Sequence, residues 1–287
     1  MKLKIIFNPT AGRGRARRHI GKALAYLRER DADVDCVPSA SPADLTRIAA
    51  ESSRGEWDRV VVCGGDGSLH LAVREFALDR GTLALLPLGS ADDFACAAGI
   101  PRTLIDACDA ILSGNTREID VATANGLRYL GVAGLGFDAE VAQYANKNVQ
   151  FLRGSLLYLY STLRVLRRFT PHRVRVNGMH SEEIMFACIG NTRQYGGGIR
   201  ITPNARIDDG LLDLCLVRRT TRFQLLKTLP RAYTGAHVRS PFVGTARATQ
   251  FTFESEQPME VYADGERLTR TPVTFALARE KLRIAIP

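Results

Sequence analysis

Residues 60–73 read VVVCGGDGSLHLAV: three valines, then two glycines, an aspartate and a third glycine, after which an apolar rhythm resumes. The β-branched run bounded by glycine predicts a buried strand, and Ser68 stands where a helix begins. Three glycines where one turn needs one imply that something approaches this backbone closely. A strand that ends in Gly64-Gly65-Asp66-Gly67-Ser68 and opens a helix presents N–H groups at the positive end of the helix dipole. An anion, most naturally a phosphate, suits that position. Asp66 would repel a bare phosphate, so it fits beside Mg²⁺ or as the partner of a hydroxyl. The plainer alternative is a strand-to-helix turn with an aspartate cap. The stretch matches neither the Walker loop nor GxGxxG.

Working outward, the first ~125 residues alternate strands with helices, the pattern of a parallel sheet covered on both faces. Strands are expected at 3–7, 34–37, 59–63 and 83–88, and helices at 15–30, 41–50, 68–77, 92–98 and 103–112. Ligands of such sheets sit beyond the carboxyl ends of the strands. Three turns gather there: Asn8-Pro9-Thr10-Ala11-Gly12, Gly64 to Gly67, and Gly89-Ser90-Ala91-Asp92-Asp93. Arg13, Arg17 and Arg18 add guanidinium groups that can pair with phosphate oxygens.

After residue 125 the rhythm changes to short strand-like runs at 128–132, 173–176, 184–189, 211–217, 250–253, 259–262, 273–277 and 282–286. Helical insertions are expected at 154–169 and 221–233. The expected fold is therefore α/β. A doubly wound parallel-sheet nucleotide-binding domain occupies 1–125, and an antiparallel β-sandwich-like domain occupies 126–287. The extreme C-terminal strand, 281–287, is a candidate to return to the first domain.

The 287 residues carry a net charge of +9, unevenly spread. From Val141 to Ser181 there is no acid, but there are Lys147, Arg153, Arg164, Arg167, Arg168, Arg173 and Arg175. From Leu214 to Phe253 there is again none, with Arg218, Arg219, Arg222, Lys227, Arg231, Arg239 and Arg247. Such asymmetry suits a polyanionic surface, membrane or nucleic acid. Aromatic residues are only 7% and no nucleic-acid module is recognisable, so a membrane is favoured. The 151–169 stretch, apolar with arginines, is expected either to pack on the second domain or to flank a lipid at an anionic bilayer. No apolar run approaches the ~18 residues that span a bilayer, and Asn8-Pro9 breaks the first one too early for a signal peptide. A cytoplasmic, peripherally membrane-associated protein is expected. The six cysteines never form a CxxC pair and lie mostly in apolar runs, as small buried thiols do.

Asp264-Gly265-Glu266 adds two more carboxylates around a turn, completing a set suited to phosphoryl transfer. In this combination the chain resembles the diacylglycerol kinase catalytic-domain family, bacterial soluble lipid kinases related to sphingosine and ceramide kinases. The segments that carry the resemblance are IFNPTAGRGRA (6–16), VVVCGGDGS (60–68), LALLPLGSADDFACAAGIP (83–101), GLGFDAEVA (134–142), IGNTRQYGGGIRITPNARIDDGLLDLCLV (189–217) and VYADGERL (261–268). They follow the family's order and cover nearly the whole chain.

The resemblance implies an ATP- and Mg²⁺-dependent lipid kinase of phospholipid biosynthesis, acting on a diacylglycerol-like hydroxyl. It places the nucleotide on Asn8, Pro9, Thr10, Ala11, Gly12, Arg13, Gly64, Gly65, Asp66, Gly67, Ser68, Leu69, His70, Leu71, Ser90, Asp92 and Asp93, with Ser39 a looser match. Glu266, assisted by Asp264, falls where the family's proton acceptor sits. Related kinases give that role to the residue matching Asp66. Asp209, with the carbonyls of Arg206 and Leu211, matches a structural Mg²⁺ site, and Asp120 matches a further acidic position. Family members are often homodimers.

Two departures stand out. Gly-Thr-x-Asn-Asp-Phe-Ala-Arg becomes Gly89-Ser90-Ala91-Asp92-Asp93-Phe94-Ala95-Cys96, and the usual Asn-Glu becomes His70-Leu71. His70 is expected on a helix face rather than as a base. A catalytically weak nucleotide or lipid sensor, and a soluble-substrate kinase of the NAD-kinase type, are the competing functions.

Overall fold

The computed structural model describes residues 1–148 and 155–287, which divide into two compact units. Residues 1–121 and 278–287 form the first, and 122–277 the second.

In the first unit the chain runs β1 (Lys2–Phe7), α1 (Ala11–Arg28), β2 (Asp33–Pro38), α2 (Pro42–Ser53), β3 (Arg59–Gly64), α3 (Asp66–Val73), β4 (Thr82–Pro87), α4 (Asp93–Ala98), α5 (Leu104–Leu112) and β5 (Thr116–Ile119). β17 (Leu282–Ala285) closes the sheet. The strand order is β2-β1-β3-β4-β17-β5, parallel except where β17 meets β5. β3 and β4 are buried at every position, which is why they read as continuous apolar runs rather than as alternation. Leu3, Ile5, Val61, Cys63, Ala84 and Leu86 pack on one face against Ala23 and Leu27 of α1 and Ile111 of α5. Consecutive strands step from β1 to β2 on one side and to β3 on the other. The order therefore reverses at β1, and the crevice beyond the carboxyl ends of β1 and β3 is the place where open sheets bind ligands.

The second unit contains β6 (Ala122–Ala124), β7 (Leu127–Tyr129), β8 (Val132–Gly136), α6 (Phe137–Asn148), α7 (Ser155–Leu166), β9 (His172–Val176), β10 (Glu182–Gly190), β11 (Leu212–Arg218) and α8 (Arg222–Ala232). β12 (Val243–Ala248), β13 (Gln250–Ser255), β14 (Glu260–Ala263), β15 (Glu266–Arg270) and β16 (Val273–Leu277) follow. The described residues form an 11-stranded sheet in which all pairs are antiparallel. β10 is its hub, pairing with β9 through its first residues and with β8 and β11 through the rest. Tyr129, Phe253 and Phe275 stack edge-on at 6.5 and 5.8 Å in its core.

β5, β6, β12, β15 and α6 lie outside the expected elements, and the strand expected at 128–132 overlaps β7 but ends where β8 begins. β12 and β15 lie at sheet edges and expose most of their side chains, so their residues carry no apolar alternation. α1 was expected from residue 15; helical hydrogen bonding begins at Ala11, but Gly12, Arg13 and Gly14 interrupt it with φ of 54°, 59° and 81°. Four cysteines are buried thiols, with Cys63 pushed up to about 12 and Cys108 to about 11 by desolvation. Cys96 is exposed and Cys36 half-buried, so these two do not fit the expectation. Of the 151–169 stretch, residues 151–154 lie outside the described residues. At its far end Val165, Leu166 and Phe169 are buried in a cluster with Phe137 and Phe186.

Candidate functional site

The three glycine turns of the first unit are wired to one another by short, named contacts. Asn8 donates its backbone N–H to the carbonyl of Cys63 (3.1 Å) and its side-chain amide to Ser68 Oγ (3.1 Å). Its Oδ1 accepts from Thr10 N (3.0 Å) and Thr10 Oγ1 (2.8 Å), so one asparagine shapes the β1 turn and ties it to the β3 turn. Leu88 N donates to the carbonyl of Gly64 (2.9 Å), and Arg15 Nη1 to the carbonyl of Gly89 (2.9 Å).

Four of the glycines pack against protein atoms where a side chain would stand. A Cβ on Gly12 would lie 2.0 Å from the Leu88 carbonyl oxygen, and one on Gly64 would lie 2.5 Å from Ser68 Oγ. A Cβ on Gly65 would stand 2.8 Å from Gly89 Cα, and one on Gly89 would stand 2.4 Å from Gly65 Cα. Gly12, Gly65 and Gly89 clear room for a neighbouring turn, and Gly64 clears room for Ser68 of its own. Gly67 differs, because its Cβ would meet no heavy atom within 4 Å, leaving open space over the first turn of α3. The N-cap of α3, Gly65, supplies no side-chain cap, which suits an anion at that end.

Asp66 reaches across to α4. Its Oδ2 accepts from Asp93 N (3.1 Å) and its Oδ1 from Phe94 N (3.0 Å), so its carboxylate caps the neighbouring helix. Asp92, which departs from the family pattern, adopts a left-handed φ of 54° and is 3% exposed. Its Oδ1 accepts from Gly89 N (2.9 Å), and burial raises its carboxyl above the usual range despite that bond. The additional acid is thus absorbed by the turn itself.

Asp93 is also buried, while Ser90 and Arg13 are exposed. Leu69 and His70 bury their side chains on α3, with His70 Nε2 3.4 Å from Arg74 Nε, so they can offer a nucleotide only backbone. The carbonyl of Leu71 accepts from Thr46 Oγ1 (3.0 Å). Ser39 N and Oγ both donate to the carbonyl of Phe7, at 2.9 and 3.4 Å.

In the second unit, Asp264 and Gly265 have φ of 52° and 86° and form the tight turn between β14 and β15. Asp264 Oδ1 accepts from Gly131 N (3.0 Å) and Val132 N (3.2 Å), and Oδ2 from Leu130 N (3.1 Å). A Cβ on Gly131 would lie 2.3 Å from that carboxylate. The geometry makes Asp264 the holder of the 130–132 backbone and of its own turn, while the next carboxylate, Glu266, is exposed.

The sequence did not single out Asp138 or Tyr195. Tyr195 Oη donates to Asp138 Oδ1, and a Cβ on Gly134 would lie 2.1 Å from Asp138 Oδ2. Desolvation raises both half-buried groups, the bond to Tyr195 partly offsetting the rise at Asp138. The signal was present in GLGFDAEVA, where the first glycine makes room for the aspartate. Arg15 and Gly89 were likewise missed as the links between turns.

Of the residues matched to metal, the two carboxylates are each engaged by a cation of the protein. Arg247 Nη2 donates to Asp209 Oδ2 while its Nε donates to Asp213 Oδ2 (3.1 Å), and Lys281 Nζ lies 3.1 Å from Asp120. Asp209 Oδ1 accepts from Leu211 N (3.2 Å). Among the described residues no group of three or more His, Cys, Asp or Glu could hold a metal ion. The site matched at Asp209 instead combines one carboxylate with the carbonyls of Arg206 and Leu211, and its Asp209 Oδ2 is held by Arg247. At Asp66 a nucleotide-borne Mg²⁺ needs only one or two protein oxygens, and each of its oxygens accepts one of the bonds above.

Residues 2–124 match the diacylglycerol kinase catalytic domain, and residues 131–286 match the YegS C-terminal NAD kinase beta sandwich-like domain. A protein of Mycobacterium tuberculosis named diacylglycerol kinase is 33% identical over 297 residues, covering 100% of this chain and 95% of that one. The Pseudomonas aeruginosa protein named probable lipid kinase YegS-like is 32% identical, over 96% of this chain and 92% of its own. The crystal structure of a candidate diacylglycerol kinase from Bacillus anthracis str. Sterne superposes with a TM-score of 0.81 at 25% identity, covering 100% of this chain and 95% of that one. No helix among the described residues is long and apolar enough to cross a membrane.

Proposed function

The chain belongs to the diacylglycerol kinase family and is a lipid kinase, and from that premise we propose that it moves the γ-phosphate of ATP to the free hydroxyl of a diacylglycerol at an anionic membrane surface. The observation that carries the donor half is the knot of three turns at the switch point of the first unit's sheet. Phosphoryl transfer needs alignment and charge neutralisation more than covalent help. The N–H groups of α3's first turn, under the open space at Gly67, receive the phosphates, and Arg13, Arg17 and Arg18 add positive charge beside them. Mg²⁺, held through the phosphates and the Asp66 carboxylate, would neutralise charge that develops on the transferring group.

The acceptor oxygen bonds to the γ-phosphorus as the bond to the β-γ bridging oxygen breaks, releasing ADP. The hydroxyl proton passes to the Glu266 carboxylate. Asp264 serves as a positioning residue, since its oxygens hold three backbone N–H groups. The burial of Asp92 against Gly89 supports turnover over a sensor role, because the departure puts no bare charge where phosphates would lie.

The test is transfer of label from [γ-³²P]ATP to diacylglycerol in mixed micelles, read by extraction and thin-layer chromatography. Label should migrate as phosphatidic acid, and Glu266→Gln should lower turnover by about 10² to 10⁴ while ATP still binds. Label transferred to NAD instead, or to no acceptor, would overturn the proposal. Undiminished turnover in the variant would remove Glu266 from it.

A further inference from the structure

α8 presents an apolar stripe to solvent. Phe223 is 75% exposed, Tyr233 50% and Leu226 36%, while Leu225, Thr228 and Ala232 are buried against the second unit. At about 100° per residue, Phe223, Leu226, Pro230 and Tyr233 lie within one ~80° arc, opposite the buried residues. Arg222 flanks that arc on one side, and Lys227 and Arg231 on the other; all three are exposed. Arg218 and Arg219 just before the helix are paired with Glu182 and Glu183. Among the described residues no ion pair engages Arg222, Lys227 or Arg231.

We infer that α8 is the element that docks this protein onto an anionic bilayer, its apolar arc inserted at the headgroup level and its three cations on lipid phosphates. An apolar stripe between two cationic borders is the geometry of an interfacial helix. Charge complementarity identifies the occupant, because the surrounding segment from Leu214 to Phe253 contains no acid. An open groove of about 900 Å³ continues the surface at the start of α8, where Phe169, Met185 and Phe242 lie beside Arg219 and Arg222. Arg222 Nη2 donates to the carbonyl of Phe169 (3.5 Å), which joins α8 to the end of the chain segment bearing the exposed Arg167 and Arg168.

This inference rests on the lipid-kinase function but is tested without it. Sedimentation of the full chain, without ATP, is measured on phosphatidylcholine vesicles with and without phosphatidylglycerol. The wild type should bind the anionic vesicles, and ~1 M salt, where the Debye length is about 3 Å, should release it. Phe223→Ser with Leu226→Ser should weaken binding at least tenfold. Lys227→Glu with Arg231→Glu should weaken it by about fivefold or more per charge. Both variants should melt like the wild type and phosphorylate a short-chain, water-dispersed diacylglycerol at the wild-type rate.

Wild-type binding by both variants, or no binding by the wild type, would overturn the inference. Conversion of a dimer to monomers with vesicle binding unchanged would overturn it too, assigning the face to a second copy. An inactive wild type that still sediments, and loses sedimentation on substitution, would fail the kinase function and sustain this one.

Discussion

Replacing Asp264 by alanine removes three acceptor contacts at once, from Leu130, Gly131 and Val132 N–H. Bonds to a charged acceptor contribute ~1.5–3 kcal/mol each, and a stranded buried N–H costs ~1–3 kcal/mol. The three share one carboxylate and are not additive, so the local loss is about 3–5 kcal/mol. Alanine at a left-handed φ of 52° adds about 1 kcal/mol more. Asparagine tolerates that backbone and keeps one oxygen for Gly131 and Val132, but turns an N–H₂ toward Leu130. Its loss is about 1–2 kcal/mol. Hydrogen exchange read by mass spectrometry resolves this locally. Amides 130–132 should exchange about 10²-fold faster or more in Asp264→Ala, since each 1.4 kcal/mol is tenfold, and by an intermediate factor in Asp264→Asn. Exchange within threefold of wild type in the alanine variant would refute the positioning role.

Gly89→Ala, with its Cβ 2.4 Å from Gly65 Cα, should cost about 1–3 kcal/mol of first-unit stability and weaken ATP binding. Gly67→Ala should leave the melting temperature unchanged yet weaken ATP; calorimetry on both variants checks this, and equal melting losses would show that the open space at Gly67 is filled by protein. Asp92→Asn should stabilise the fold increasingly as pH rises above the ordinary carboxylate range. The folded carboxyl is raised by burial, so wild-type stability is fullest below its unfolded value and is lost as pH rises through the folded one. The wild-type and Asn unfolding midpoints should therefore converge near pH 3.5 and part at pH 7, and parallel curves would contradict the assignment. Tyr195→Phe deprives the half-buried Asp138 of a donor and should lower stability by about 1–3 kcal/mol in urea, against an unchanged midpoint if the bond is idle.

The parallel sheet was legible because β3 and β4 are buried on both faces and their valines and leucines announce it. The antiparallel unit was legible where apolar strands bury a face, but not at β8, whose buried Val-Ala-Gly-Leu-Gly run carries two glycines and gives no strand pattern. β12 and β15, at sheet edges with Thr, Arg and Glu outward, left no pattern to count. At the site, Asn8, Gly64 to Ser68 and Asp92-Asp93 were visible as turns, but their partners were not. Sequence spacing cannot tell that Gly65 makes room for Gly89, 24 positions away. Nor can it tell that Asp66 caps α4 or that Asp264 spends its oxygens on residues 130–132. The apolar arc of α8 was hidden as well. The sequence marks 221–233 only as a helix, and burial is what shows that Leu225, Thr228 and Ala232 face the core while Phe223, Leu226 and Tyr233 face solvent.

The central claim, that three separate turns of one sheet edge grip a single nucleotide, is tested most directly by amide exchange with and without a non-hydrolysable ATP analogue and Mg²⁺. Residues 8–15, 64–68 and 88–94 should all become protected together, at the same analogue concentration. Protection confined to one of these turns, or appearing only elsewhere in the chain, would contradict it.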